Sequence, residues 1–113
     1  MADDCLFCRI VRGEIPATLV LDNADCVAFR DIDPKAPTHV LVVPREHVAS
    51  LNEATDVSML GKLLLAAAEI AKNEGLAEGG YRTVINTNRD GGQTVFHLHV
   101  HLLGGRSLAW PPG

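Results

Sequence analysis

The stretch Phe96-His97-Leu98-His99-Val100-His101-Leu102-Leu103 determines how the rest of this 113-residue chain can be interpreted. Three histidines occupy every second position, and the residues between them are apolar. Successive side chains of a β-strand point to opposite faces, so a strand places the imidazoles on one face and Leu98, Val100 and Leu102 on the other. Residues two apart lie about 6.5–7 Å apart along a strand. We therefore expect the three rings to line one pocket.

The segment before this stretch, Asp90-Gly91-Gly92-Gln93-Thr94, adds to the same picture. Glycines before a strand permit unusual backbone angles and let N–H groups point at an anion. The interleaved apolar residues distinguish the histidines from a tag, and three in register are improbable as a chance run on a solvent-facing strand.

Length and composition predict one domain over residues 1–113. A hydrophobic content of 47% supports a packed core and excludes wholesale disorder. The net charge of −4 argues against nucleic acid or a membrane surface as a partner, because both require a basic face. A small anionic ligand remains compatible, since backbone N–H groups can hold it locally.

The chain is expected to be cytoplasmic. Its start, Met1-Ala2-Asp3-Asp4, is acidic and unlike a signal peptide, and no apolar run approaches the ~20 residues that span a bilayer. Three cysteines, an odd number, indicate free thiols or a metal site in a reducing compartment rather than disulfides.

Periodicity and turn signals predict an α+β fold. The expected elements are a short helix over 5–12, strands over 19–21, 26–29, 39–43, 81–86 and 96–103, and one long helix over about 55–74. Asp3 or Asp4 can cap the short helix, and Asn52 or Thr55 the long one. Short connections between consecutive strands predict an antiparallel sheet of about five strands with the helices on one face.

Cys5 and Cys8 form a C-x-x-C pair with three possible interpretations. A thioredoxin-like redox pair is disfavoured because no strand precedes it. The two thiols can be buried small residues on one helical face. They can also be half of a zinc site, for which His47 and His97 are candidate partners.

Residues 90–106 and the ending Trp110-Pro111-Pro112-Gly113 resemble the histidine-triad superfamily and, within it, the histidine-triad nucleotide-binding branch. Shorter similarities extend the resemblance over nearly the whole chain: Glu14-Ile15-Pro16-Ala17, Asp31-Ile32, Ala36-Pro37-Thr38-His39 and Val42-Val43-Pro44.

The resemblance implies a purine nucleoside phosphoramidase, which hydrolyses an adenosine 5′-phosphoramidate to AMP and an amine. AMP, GMP and phosphoramidates would be its ligands. His99 would be the nucleophile of a nucleotidyl-histidine intermediate, and His97, His101 and His39 would complete the catalytic histidines. An imidazole with a pKa of ~6.5 can serve as a free nucleophile or a proton donor near neutral pH.

The resemblance also implies binding residues, a partner and a metal. Asp31 and Ile32 would face the ribose and base, while His101 and the segment around Gln93 would face the phosphate. A homodimer with one continuous sheet is implied, in which the Trp110 segment lies across the partner's site. Some bacterial-type members carry structural zinc, and the matching residues here are Cys5, Cys8, His47 and His97, although catalysis itself requires no metal. The implied nucleotide-binding residues are Asp31, Ile32, Asn86, Gly92, Gln93, Thr94, Val95, His99, His101 and Trp110.

Three other functions are also compatible with the sequence. The same histidine can serve a nucleotidyl transferase or a dinucleotide hydrolase, although the Trp-Pro-Pro-Gly ending favours the nucleotide-binding branch. The chain can be a nucleotide-binding or scaffolding protein with incidental turnover. A zinc hydrolase that uses the triad as ligands is disfavoured, because the strand carries no neighbouring carboxylate.

Overall fold

Five strands form one antiparallel sheet in the computed structural model, which describes residues 4–113. The strands are β1 (Leu19–Asp22), β2 (Cys26–Arg30), β3 (Thr38–Pro44), β4 (Tyr81–Val84) and β5 (Val100–Gly104). Their order in the sheet is β1-β2-β3-β5-β4. The α+β class and the five-stranded antiparallel sheet are confirmed. Asp3, one of the two candidate caps of the short helix, lies outside the described residues.

Three α-helices and one short 3₁₀ helix (Leu51–Glu53) accompany the sheet within residues 4–113. The α-helices are α1 (Leu6–Val11), α2 (Val57–Asn73) and α3 (Asn88–Gly91). The first two are capped by residues other than those predicted. The Cys5 sulfur accepts the Cys8 N–H at the start of α1, and the Asp56 carboxylate accepts the Met59 N–H at the start of α2. No helix within residues 4–113 is both long and apolar enough to cross a membrane.

The segment expected as a glycine turn contains α3, a single helical turn. It ends at Gly92, whose φ of 84° lies in the left-handed region that glycine adopts without a steric penalty. This conformation turns the chain from α3 toward the histidine segment.

The two principal helices cover opposite faces of the sheet. The α2 side of the core includes Ala28, Val40 and Leu102, whereas Phe7 of α1 packs with Phe29 and Leu41 on the other side. The expectation that both helices share one face is wrong for α1. Strands β2 and β3 are buried on both faces, so their sequences are continuous apolar runs without alternation. Such a run does not show which face of the sheet each helix covers.

The histidine segment joins the sheet only in its second half. Paired strand begins at Val100, and the preceding Leu98 N–H donates instead to the Val48 carbonyl at 2.7 Å. The predicted alternation is confirmed, since Leu98, Val100 and Leu102 all lie in the core beneath α2. The histidines therefore face the side that carries α1.

Candidate active site

His99 is held in a single neutral tautomer by the backbone carbonyl of His97. Its Nδ1 lies 2.7 Å from the His97 carbonyl oxygen. A carbonyl only accepts hydrogen bonds, so Nδ1 carries the proton and the lone pair of the neutral ring is at Nε2. His99 is buried, with 7% of the residue exposed, and it lines a cavity. This arrangement presents an oriented nitrogen lone pair, which is what a nucleophilic histidine needs.

His101 is oriented by a chain of hydrogen bonds that starts at the backbone. The Lys35 N–H donates to His39 Nδ1 at 3.0 Å, which puts the proton of neutral His39 on Nε2. That Nε2–H points at His101 Nδ1, 2.9 Å away, so neutral His101 carries its own proton on Nε2. This series of hydrogen bonds leaves His101 with an N–H donor beside His99, and the two ring centroids are 4.9 Å apart.

The sheet register explains why His39 reaches His101. Leu41 of β3 pairs with His101 of β5, and His39 lies two residues before Leu41 on the same face. Asp31 completes the group, with its Oδ2 atom 3.4 Å from His39 Nε2. Although these three side chains are close enough to suggest a metal site, the proton on His39 Nε2 makes this cluster a hydrogen-bond relay.

Burial keeps these imidazoles neutral in the free protein. Loss of solvation lowers the pKa of His97, His99 and His39 below the ordinary value of 6.5. Burial, together with the neighbouring His99 and His39, lowers the pKa of His101 to about 4. The Asp31 carboxylate opposes this trend by favouring the charged forms of His39, His99 and His101.

The lowered pKa of His101 predicts a loss of stability in acid. Between about pH 6.5 and 4 an unfolded histidine is protonated while folded His101 is not, so lowering the pH there favours unfolding. Proton uptake by His101 in the unfolded state should by itself lower the free energy of unfolding by on the order of 2 kcal/mol at about pH 5. Urea unfolding of wild type and His101→Asn at about pH 7.5 and 5 measures this contribution. Equal acid losses in both proteins would contradict it.

A cavity of about 300 Å³ opens in front of His99 and His101. Its lining combines polar residues such as Asp31 and Thr94 with apolar ones such as Phe7, Ile10 and Phe29. This combination of an apolar compartment and a few convergent polar groups is typical of a small-molecule site. Of the implied nucleotide-binding residues, the cavity brings together Asp31, Ile32, Thr94, Val95, His99 and His101.

The remaining implied nucleotide-binding residues do not line this cavity. The Gln93 side chain is buried, donates to the Ala49 and Val95 carbonyls and accepts the Asn88 N–H, so it braces the α3 turn. Gly92 ends that turn, and Asn86 lies at the base of α3 next to Gly91. Trp110 is 80% exposed, with the Arg82 guanidinium 5.9 Å from its ring centre.

His97 faces a second group of side chains instead of the cavity. Its Nε2–H donates to the Pro44 carbonyl at 2.9 Å, so its Nδ1 lone pair is free to face Cys5 and Cys8. Both sulfurs lie 3.4 Å from that nitrogen, and His47 Nδ1 lies 3.4 Å from the Cys8 sulfur. The expectation that three imidazoles line one pocket therefore holds for only two of them.

This Cys/His cluster, defined as Cys5, Cys8, His47 and His97, could hold a metal ion. All four ligand atoms lie within 4.8 Å of one another. Zinc–ligand bond lengths place sulfur and nitrogen about 3.5 Å apart across a tetrahedral ion, which is close to the 3.4 Å separations found here. The Pro44 carbonyl is the outer partner that orients a metal-binding imidazole.

The sequence reasoning missed Phe7, which the structure places at the centre of both groups. Phe7 is buried, and its ring centroid is 5.0 Å from that of His99 and 6.0 Å from that of His97. The signal available was the apolar pair Phe7 and Ile10, which are three residues apart and so share one helical face.

The family model of the HIT domain matches residues 12–108 of this chain. The chain belongs to the HIT family. Over their full lengths this HIT protein is 58% identical to an uncharacterized HIT-like protein of Synechococcus elongatus.

Two further relatives connect this HIT protein with enzymes. It is 48% identical to the purine nucleoside phosphoramidase of Escherichia coli strain K12, a match covering 96% of this chain and 92% of the relative. The crystal structure of a HIT family hydrolase from Legionella pneumophila superimposes with a TM-score of 0.95 at 52% identity, over 96% of this chain and 99% of that one. These similarities support a hydrolase activity for this HIT protein.

Proposed function

We propose that this protein hydrolyses purine nucleoside 5′-phosphoramidates to a nucleoside monophosphate and an amine. The observation that carries the proposal is the tautomer of His99, whose Nδ1–H is held by the His97 carbonyl while Nε2 is left as a free lone pair beside the cavity. The 48% identity to a purine nucleoside phosphoramidase supports this class of substrate.

In the proposed complex the base packs against the apolar lining residues Phe7, Ile10 and Phe29. Asp31 is placed to accept hydrogen bonds from ribose hydroxyls, and exposed Ile32 to cover the base. The phosphate then lies beside His99 and His101. There Thr94 and Val95 provide uncharged donors. The Gly92 and Gln93 N–H groups donate to carbonyls of their own turn, so Asn86, Gly92 and Gln93 act by shaping the α3 turn that precedes these donors.

The proposed reaction proceeds in two displacements at phosphorus. His99 Nε2 attacks, the phosphorus–amine bond breaks, and the amine leaves with a proton from protonated His101, giving a nucleotidyl-histidine. Water then attacks the same phosphorus and gives a proton back to neutral His101, the phosphorus–His99 bond breaks, and the nucleoside monophosphate is released. Splitting the hydrolysis in this way replaces one difficult step with two easier ones.

His101 is the proposed donor to the leaving amine and to the phosphoryl oxygens. Its Nε2–H is available because Nδ1 accepts from His39. In the free protein its pKa is about 4, and an anionic phosphoryl group bound beside it would raise that value. His39 and Asp31 act as positioning groups for this proton. His97 acts through its carbonyl on His99.

The proposed metal is zinc, in a structural role at the Cys/His cluster. Two thiolates and two imidazoles are a common ligand set for structural zinc. When bound, zinc supplies a cross-link between α1, the loop that carries His47 and the segment that carries His97, and its binding free energy adds to folding. Cys5, Cys8 and Cys26 are reduced, which suits the reducing cytoplasm that we propose as the location.

We also propose a homodimer in which the sheet continues across the β4 edge. β4 is an edge strand, so it has unpaired backbone groups available to a second copy. Tyr81 on β4 is 39% exposed, and Leu64 and Leu65 of α2 are exposed apolar residues. In this arrangement Trp110 of each protomer lies across its partner's cavity.

A comparison of substrates tests the proposed function. We expect wild type to hydrolyse a fluorogenic adenosine 5′-phosphoramidate, with or without a chelator, far faster than a diadenosine polyphosphate of equal concentration. Faster hydrolysis of the dinucleotide would indicate that the protein is a dinucleotide hydrolase. AMP binding without turnover of either substrate would favour a nucleotide-binding protein.

A further inference from the structure

Helix α1 carries side chains of two different sites within six residues. Cys5, its cap, and Cys8 belong to the Cys/His cluster, whereas Leu6, Phe7 and Ile10 line the cavity. We propose that metal bound at the Cys/His cluster sets the affinity for the nucleotide base, because it fixes α1 against the sheet. This inference rests on the proposed function and makes Cys5, Cys8 and His47 positioning residues for base binding.

An isolated helix of six residues is unstable in water, so α1 depends on its contacts with the rest of the fold. Phe7 supplies an apolar anchor, with its ring centroid 5.3 Å from that of Phe29 and 5.0 Å from that of His99. Cys5 and Cys8 supply polar contacts to His97 and His47. A metal at these four ligands converts long sulfur–nitrogen contacts into a cross-link that restrains the cavity wall.

The nucleophile is anchored independently of the metal. His97 is fully buried, its Nε2–H donates to the Pro44 carbonyl, and the neighbouring Leu98 N–H donates to the Val48 carbonyl. The His97 carbonyl that orients His99 is therefore held without the thiols. Metal removal should loosen the base compartment while leaving the phosphate end and the reacting atoms in place.

Because the metal restrains the base compartment and not the phosphate end, its removal should affect some ligands and not others. Removing zinc should raise the Kd for AMP about tenfold, within the range of typical couplings between sites. It should leave unchanged the Kd for ribose 5-phosphate, which has the sugar and phosphate but no base. In turnover, KM should rise while kcat stays nearly constant. By linkage, AMP should tighten zinc binding by the same factor.

The experiment uses the full chain loaded with zinc or stripped by a chelator. Calorimetry measures AMP and ribose 5-phosphate binding to each form, and competition with a chromophoric chelator measures zinc affinity with and without AMP. Amide hydrogen exchange provides a readout that is independent of activity. On zinc removal we expect faster exchange over residues 6–11 and unchanged exchange over β5.

Two variants extend the test. His47 contacts the cluster but does not line the cavity, so His47→Ala should bind AMP like stripped wild type, whether or not zinc is added. Cys26 lies in the core beneath α2, so Cys26→Ala should keep the full zinc effect. Cys8→Ser replaces His47→Ala if that variant fails to fold.

Several results would overturn the coupling: equal AMP affinity in the loaded and stripped proteins, a parallel loss for AMP and ribose 5-phosphate, or a purified protein that takes up no zinc. Failure of the zinc-loaded protein to bind AMP at all would contradict the proposed function itself. That outcome is distinct from metal-independent binding, which contradicts the coupling alone.

Discussion

His99→Ala is expected to lower kcat/KM for an adenosine phosphoramidate by at least about 10⁴-fold, comparable to the loss of other enzyme nucleophiles. The variant removes the only nitrogen lone pair that the proposed first displacement uses. AMP affinity should change little, because the base compartment is formed by α1 and β2 side chains such as Phe7 and Phe29. Steady-state kinetics and calorimetry on the same preparations measure the two effects.

A matched pair of variants makes this result specific. His99→Asn keeps a polar side chain near the His97 carbonyl and should be as inactive as His99→Ala. His47→Ala removes another histidine, one outside the cavity, and should retain kcat. If either His99 variant kept more than about a hundredth of wild-type kcat, a contribution typical of acid–base assistance, His99 could not be the nucleophile.

The second large effect concerns stability. Replacing Cys5 and Cys8 together with serine should abolish zinc binding and lower the free energy of unfolding by about 4 kcal/mol when free zinc is a thousandfold above its Kd. The loss arises because zinc binds the folded ligand set and no longer links α1 to His97. Metal analysis and urea unfolding measure it, and kcat should be largely retained.

Chelation provides the control for this double variant. Wild type and Cys26→Ala should both lose stability when a chelator is added, while the double variant should be insensitive. Cys26 is buried away from the cluster, so its replacement tests the loss of a thiol in general. Zinc-dependent stabilisation that persists without Cys5 and Cys8 would place the metal elsewhere.

The histidine stretch shows how far sequence can predict this site. The period of two correctly placed Leu98, Val100 and Leu102 in the core, because it depends only on strand geometry. It could not show that pairing begins at Val100 or that His97 is directed to the cysteines. Both depend on which strands and helices the segment meets in three dimensions.

Most features of the site that the sequence did not predict depend on contacts between elements that are distant in the chain. His39 meets His101 because β3 and β5 pair in one register, and the sequence does not state that register. Phe7 reaches His99 because α1 covers the face opposite α2, which the doubly buried strands conceal. The C-x-x-C spacing did identify Cys5 and Cys8 as candidate metal ligands, because two cysteines at that spacing lie close enough to bind one ion.

The most direct test of the account is to trap the covalent intermediate. Enzyme in excess over adenosine 5′-phosphoramidate is quenched in alkali at short times, where a phosphorus–histidine bond survives, and its peptides are analysed by mass spectrometry. We predict an adenylyl group on His99 that forms before AMP and then decays, and that is absent in His99→Asn. An adduct on another residue would contradict the account. So would AMP formation with no adduct at any time in wild type and continued turnover in the variant.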